Sequence, residues 1–152
     1  ELVVAADTVV VLDGEILGKP QDPDDAISML RRLRGRSHTV YTGISVWQPA
    51  TWRMVNELGS SAVFMRDYSD AEIEAYVASR APMDKAGAYA IQHHGFSPVS
   101  HMEGCWLTVM GLPLCHLGRA LQTFGLTVPT SVPGSCRAFT RQLCEVPLDL
   151  PG

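Results

Sequence analysis

A few polar residues stand in this sequence where a chain seeking only a core would not put them. Asp7 lies between Ala6 and Thr8, at the joint of two apolar runs with strand character. A carboxylate there must be hydrogen-bonded, paired or bound to a metal, because burying it alone is too costly. An Asx-turn at a strand break serves equally well as a reading. Lys19 follows in Gly18-Lys19-Pro20, a tight and rigid loop. If the preceding hairpin folds back over Asp7, ammonium and carboxylate face one cavity, the pairing that holds a phosphate together with its metal. A solvated loop lysine is the alternative. In Gly35-Arg36-Ser37-His38, Gly35 suits a helix end and Arg36 either complements the helix dipole or binds an anion. Asp84-Lys85-Ala86-Gly87-Ala88-Tyr89-Ala90-Ile91-Gln92 sets acid, base and small residues before a short strand. It ends on Gln92, an amide whose donors and acceptor could read a base edge. A surface ion pair between Asp84 and Lys85 would account for the first two residues and leave Gln92 unexplained.

The elements that must position these groups alternate. Leu2 to Ala6 and Thr8 to Leu12 read as strands, and Asp13-Gly14 as the turn of a hairpin returning through Glu15-Ile16-Leu17. Asp22-Pro23-Asp24-Asp25 supplies an N-cap, a proline at the first helical position and acids in the first turn. Ala26, Ile27, Leu30 and Leu33 then recur at helical spacing, and Gly35 stops the helix. His38 to Trp47 and Trp52 to Met65 read as strands joined around Pro49. Ser69-Asp70-Ala71-Glu72 is a capping box ahead of a helix carrying Ile73, Tyr76 and Val77. Tyr89-Ala90-Ile91 is a strand candidate. Pro113 to about Phe124 is the last helix, with Leu114, Leu117, Leu121 and Phe124 on one face. The sum is an α/β or α+β domain around a mixed central sheet flanked by helices. From about 128, prolines and glycines crowd into what reads as an irregular tail over 128–152, behind a domain of 1–127.

The 152 residues are 46% hydrophobic and 18% charged, the balance of one domain able to bury a core. The net charge of −4 argues against coating a nucleic acid polymer or an anionic membrane, which requires a basic face. It leaves room for a small phosphorylated ligand. No apolar run reaches the roughly 18 residues of a membrane helix, and Glu1-Leu2-Val3-Val4 lacks signal-peptide features, so a cytoplasmic protein is expected. Opening on Glu1 without a methionine, directly into an apolar run, the chain reads as one whose beginning has been cut off. The four cysteines form no C-x-x-C pair; they are expected to be mostly thiols, with Cys136 and Cys144 kept open as a pair. His93, His94, His101, Cys105, Cys115 and His116 permit a zinc-site reading, although their spacing is not that of a zinc finger.

Five segments stand together in a recognisable order: Ala5-Ala6-Asp7-Thr8-Val9-Val10, Leu17-Gly18-Lys19-Pro20, Gly35 to Gly43, Asp84 to Gln92, and Gly111-Leu112-Pro113-Leu114. Over Leu2 to about Gly125 the chain resembles the Maf family, also called septum formation inhibitors, nucleoside triphosphate pyrophosphatases of Maf/ITPase-like fold. The resemblance implies hydrolysis of a nucleoside triphosphate between the α and β phosphates, with a divalent cation, Mg²⁺ or Mn²⁺. It makes Asp7 the catalytic proton acceptor and a metal ligand, and Lys19 a catalytic phosphate contact. Thr8 and Gln92 fall at positions that set base preference, Thr8 resembling the branch that prefers dTTP and UTP over the one that takes methylated GTP. Lys85 and Arg36 would add charge toward the phosphates. A homodimer is suggested. Family members also carry, upstream of the part resembled, a strand, a Ser-x-Ser-Pro-Arg-Arg loop binding the triphosphate, and a metal-assisting Glu. His93-His94 and Cys105-Trp106-Leu107-Thr108 depart from the family pattern. A non-catalytic nucleotide-binding or division-regulating protein using the same pocket is the alternative.

Overall fold

The structure, a computed structural model, describes residues 1–142 of the chain. Its strands are β1 (Val3–Leu12), β2 (Glu15–Leu17), β3 (Ser37–Gln48), β4 (Arg53–Met65) and β5 (Val99–Gly104). Its helices are α1 (Pro23–Leu33), α2 (Asp70–Ala78), α3 (Trp106–Met110), α4 (Leu114–Gln122) and α5 (Val132–Thr140). The α/β class expected from the sequence holds. The five strands form one sheet in the order β2-β1-β3-β4-β5, and it is antiparallel where a mixed sheet was expected. Tight turns between β1 and β2 and between β3 and β4 return the chain beside itself.

Local chemistry accounts for most of these elements. Asp13 and Gly14 both take positive φ (52° and 80°), the two-residue turn whose twist suits a hairpin. Val10 thereby pairs with Leu17 and Leu12 with Glu15. The Asp22 carboxylate accepts the Asp25 N–H at 2.8 Å and caps α1, whose Ala26, Leu30 and Leu33 are buried. Gly35 follows at φ 64° and turns the chain out of the helix. Ser69 and Glu72 form the expected reciprocal box at the start of α2.

Four expectations fail. Leu2–Ala6 and Thr8–Leu12 are not separate strands: β1 runs unbroken through Asp7. Tyr89–Ile91 is not a strand but part of an irregular segment following a short helical turn at 86–88. Leu114 faces solvent, and α4 buries Cys115, His116, Gly118 and Ala120 with Leu117, Leu121 and Phe124 half-buried. The region after 128 is not irregular throughout, since Val132–Thr140 is helical. Cys136 is buried there, while Cys144 lies outside the described residues.

The chain divides into two compact units. The first comprises Glu1–Thr8, Tyr41–Ser61 and the described residues from Gly104 on; its core joins Ile44, Val46 and Ala120, with Leu2, Val55, Leu117, Leu121 and Phe124 around them. The second comprises Val9–Val40 and Ala62–Glu103 and buries Val10, Leu12, Leu30, Leu33, Val40, Val63, Tyr68 and Ile73. In it α1 packs on α2, Arg31 and Arg34 both reach Asp70, and the Tyr68 hydroxyl donates to the Leu30 carbonyl at 2.8 Å. Strand β3 alternates strictly, with His38, Val40, Thr42, Ile44 and Val46 buried on one face. Two of those five are polar, and each needs a partner.

Candidate functional site

Asp7 and Thr8 belong to the first unit, and Lys19, Arg36, Lys85 and Gln92 to the second. Asp7 is exposed in the middle of β1, not buried at a strand break. Its Oδ1 accepts the Thr8 backbone N–H at 2.9 Å, which steadies the exposed carboxylate. Such a carboxylate fits a divalent cation shared with water and phosphate oxygens, the usual manner of Mg²⁺, better than a cage built by protein alone. Among the described residues no group of three or more His, Cys, Asp or Glu converges as a metal site. The histidines and cysteines of the zinc reading accordingly do not gather.

Thr8 is held from within. Its Oγ1 lies 2.8 Å from Thr42 Oγ1, and the Thr42 hydroxyl donates to the Thr108 carbonyl at 2.6 Å. Thr42 and Thr108 are wholly buried. Gly111, at φ 108°, closes α3 so near that a Cβ there would stand 3.3 Å from Thr8 Oγ1. The sequence offered no sign of this chain, because its members are 34 and 66 residues apart.

In the second unit, Lys19, Asp84 and Lys85 come together. The Gly87 N–H donates to the Gly18 carbonyl at 3.0 Å, tying the Gly18-Lys19-Pro20 loop to the segment carrying Asp84 and Lys85. Gly87 sits at φ 70°, and a Cβ there would meet both Val10 methyls at 3.2 Å, so the contact requires glycine. Lys85 Nζ donates to Asp84 Oδ1 at 3.0 Å. That hydrogen bond holds the Asp84 carboxyl below the usual carboxylate range, and the Lys19 charge adds to the effect. Two ammonium groups around one exposed carboxylate leave a net positive spot suited to phosphate oxygens.

Arg36 does not join this cluster. Its Nη2 bonds both Asp13 carboxylate oxygens at 2.7 and 2.8 Å, clamping the hairpin turn. Gln92 is exposed in the turn after Ile91, rather than at a strand end. Nearby, Tyr76 stacks on Phe96 with ring centroids 4.3 Å apart, and its hydroxyl accepts the Ala90 N–H at 3.2 Å, which anchors the segment leading to Gln92. No helix among the described residues is long and apolar enough to cross a membrane.

Known proteins are similar to this chain over most of its length. A dTTP/UTP pyrophosphatase of Dictyoglomus turgidum is 50% identical over 127 residues, 84% of this chain and 66% of that protein. One from Pelotomaculum thermopropionicum is 46% identical over the same shares. One from Salinibacter ruber is 51% identical over 123 residues, 80% of this chain and 60% of that protein. The chain thus spans just under two thirds of the length of such relatives. The family model described as Maf-like protein matches residues 1–124, which takes in every segment placed above, and the chain belongs to that family.

Proposed function

We propose that this protein hydrolyses nucleoside triphosphates, dTTP and UTP foremost, to the monophosphate and pyrophosphate, assisted by Mg²⁺ or Mn²⁺. The observation that carries the reading is the 50% identity to a protein named dTTP/UTP pyrophosphatase over a stretch that includes both units. The residue types present are those the reaction asks of a protein. A water oxygen must bond to the α phosphorus as the bond to the bridging oxygen breaks. The water's proton needs an acceptor, and the leaving pyrophosphate needs cations. Asp7, exposed and anchored through one oxygen, is the acceptor in this reading and the protein's ligand to the ion. The ion would neutralise charge on the phosphates. Lys19 and Lys85 supply fixed positive charge toward the phosphate oxygens, and Thr8 and Gln92 recognise the base. Arg36 could reach a phosphate only by leaving Asp13, an exposed pair that is cheap to break.

The same reading carries a cytoplasmic location, where such substrates are found, and a homodimer. Light scattering on the purified protein tests the latter.

The test of the function is pyrophosphate release from dTTP and UTP with Mg²⁺ or Mn²⁺, run beside equilibrium binding of both nucleotides. Asp7→Asn is expected to lower turnover by about 10²-fold or more while leaving the melting temperature unchanged. Near-normal turnover by that variant removes Asp7 from the chemistry. Binding without release by the unaltered protein would favour a nucleotide-binding regulator instead.

A further inference from the structure

We propose that Thr42 is a positioning residue: it fixes the Thr8 hydroxyl as a hydrogen-bond acceptor and so selects nucleobases that offer an N–H, the imide edge of thymine and uracil, over the acceptor edge of cytosine. The selectivity rests on the function proposed above; the Thr42–Thr8 contact does not.

The proton positions follow from the oxygens. The Thr108 carbonyl has no proton to give, so at 2.6 Å the Thr42 hydroxyl must donate to it. Thr42 has one hydroxyl proton and has then spent it. At 2.8 Å between Thr8 Oγ1 and Thr42 Oγ1 one hydroxyl must donate, and only Thr8 can. Thr8 Oγ1 therefore presents lone pairs alone to anything that approaches from outside. Thr42 cannot turn away, because it is wholly buried on the inward face of β3 between Val40 and Ile44. Thr8 is β-branched, with few χ1 states, and the hydrogen bond holds one of them. A Cβ at position 111 would stand 3.3 Å from the same oxygen, so glycine there leaves it open to approach.

An acceptor-only hydroxyl discriminates by chemistry. N3 of uracil or thymine carries a proton and can donate to it. N3 of cytosine is itself an acceptor, and the two lone pairs would oppose each other. Without Thr42's hydroxyl, Thr8 could rotate and donate, and the distinction would fade.

The experiment compares wild type, Thr42→Val and Thr42→Ser. Valine keeps the shape and removes the hydroxyl, while serine keeps the hydroxyl. The first readout, needing no nucleotide, is the Thr8 χ1 from three-bond couplings to its methyl carbon. One rotamer is expected in wild type and Thr42→Ser, and averaging in Thr42→Val. The second is the ratio of kcat/KM for UTP over CTP, expected to shrink by about tenfold in Thr42→Val, chiefly through KM, and to recover in Thr42→Ser. A single Thr8 rotamer in folded Thr42→Val overturns the claim that Thr42 fixes Thr8. Averaging with an unchanged UTP/CTP ratio overturns the selectivity. A wild-type protein that processes neither nucleotide sinks the selectivity together with the proposed function, while the rotamer measurement still judges the contact by itself.

Discussion

His38 is the other polar residue on the buried face of β3, and its burial should make the fold sensitive to mild acid. It is 4% exposed, its Nε2 lies 2.7 Å from the Tyr89 hydroxyl, and its buried Nδ1 has no partner among the described residues. A cationic imidazole would have two N–H groups to satisfy and at most one acceptor, so burial lowers its pKa from 6.5 to about 4. The unfolded chain binds this proton more readily than the folded one. The stabilisation is therefore complete above pH 6.5 and is lost as the pH falls toward 4. At about 1.4 kcal/mol per pH unit, the whole gap corresponds to about 3 kcal/mol, of which about 2 kcal/mol is already gone at pH 5. Urea unfolding at pH 7.5 and pH 5 measures it. His38→Gln cannot titrate but keeps an amide for Tyr89, so its loss of stability between the two pH values should be smaller than wild type by about 2 kcal/mol. The buried His116, also lowered by desolvation, contributes equally to both proteins and cancels. Equal losses in wild type and variant would refute the reasoning, as would an NMR titration showing His38 protonating near 6.5.

Two further substitutions probe the scaffold around the candidate residues. Gly87→Ala places a Cβ 3.2 Å from the Val10 methyls at φ 70°, and should destabilise by about 1–3 kcal/mol in urea unfolding while weakening nucleotide binding through the displaced Lys19 and Lys85. Ser69→Ala removes the hydroxyl that caps α2 through the Glu72 N–H, and should cost about 1 kcal/mol with nucleotide binding unchanged, read by thermal unfolding beside a binding isotherm.

Where the physical signal is local, the sequence carried it. The Asp13-Gly14 turn, the Asp22 cap, the Gly35 stop and the Ser69–Glu72 box each depend on backbone groups within a few residues, so composition at those positions was sufficient. The identity of the chemical groups was legible in the same way: Asp7, Lys19, Lys85 and Gln92 stand out because charge and amide interrupt apolar or glycine-bearing runs. Their surroundings were not legible. Asp7 between two apolar runs suggested a buried strand break, yet β1 continues through it and exposes the carboxylate, because strand continuity is decided by the neighbouring strand and not by one polar residue. Tyr89–Ile91 had strand composition but is bent out of any ladder: Gly87 turns left-handed against Val10, Tyr89 is drawn to His38, and the Ala90 N–H is taken by Tyr76. Strand β5, with Ser100, His101 and Glu103 among its six residues, carried no apolar pattern, and its pairing beside β4 defines it.

The sequence by itself determined the alternation of helices and strands, the family and the stock of reactive groups. Tertiary structure alone decided which hydroxyl donates to which, that the Gly87 N–H ties the Lys19 loop to its own segment through the Gly18 carbonyl, and that Arg36 is spent on Asp13. Those outcomes depend on pairs of atoms brought within about 3 Å from positions tens of residues apart, and no short-range pattern in a chain encodes such a distance.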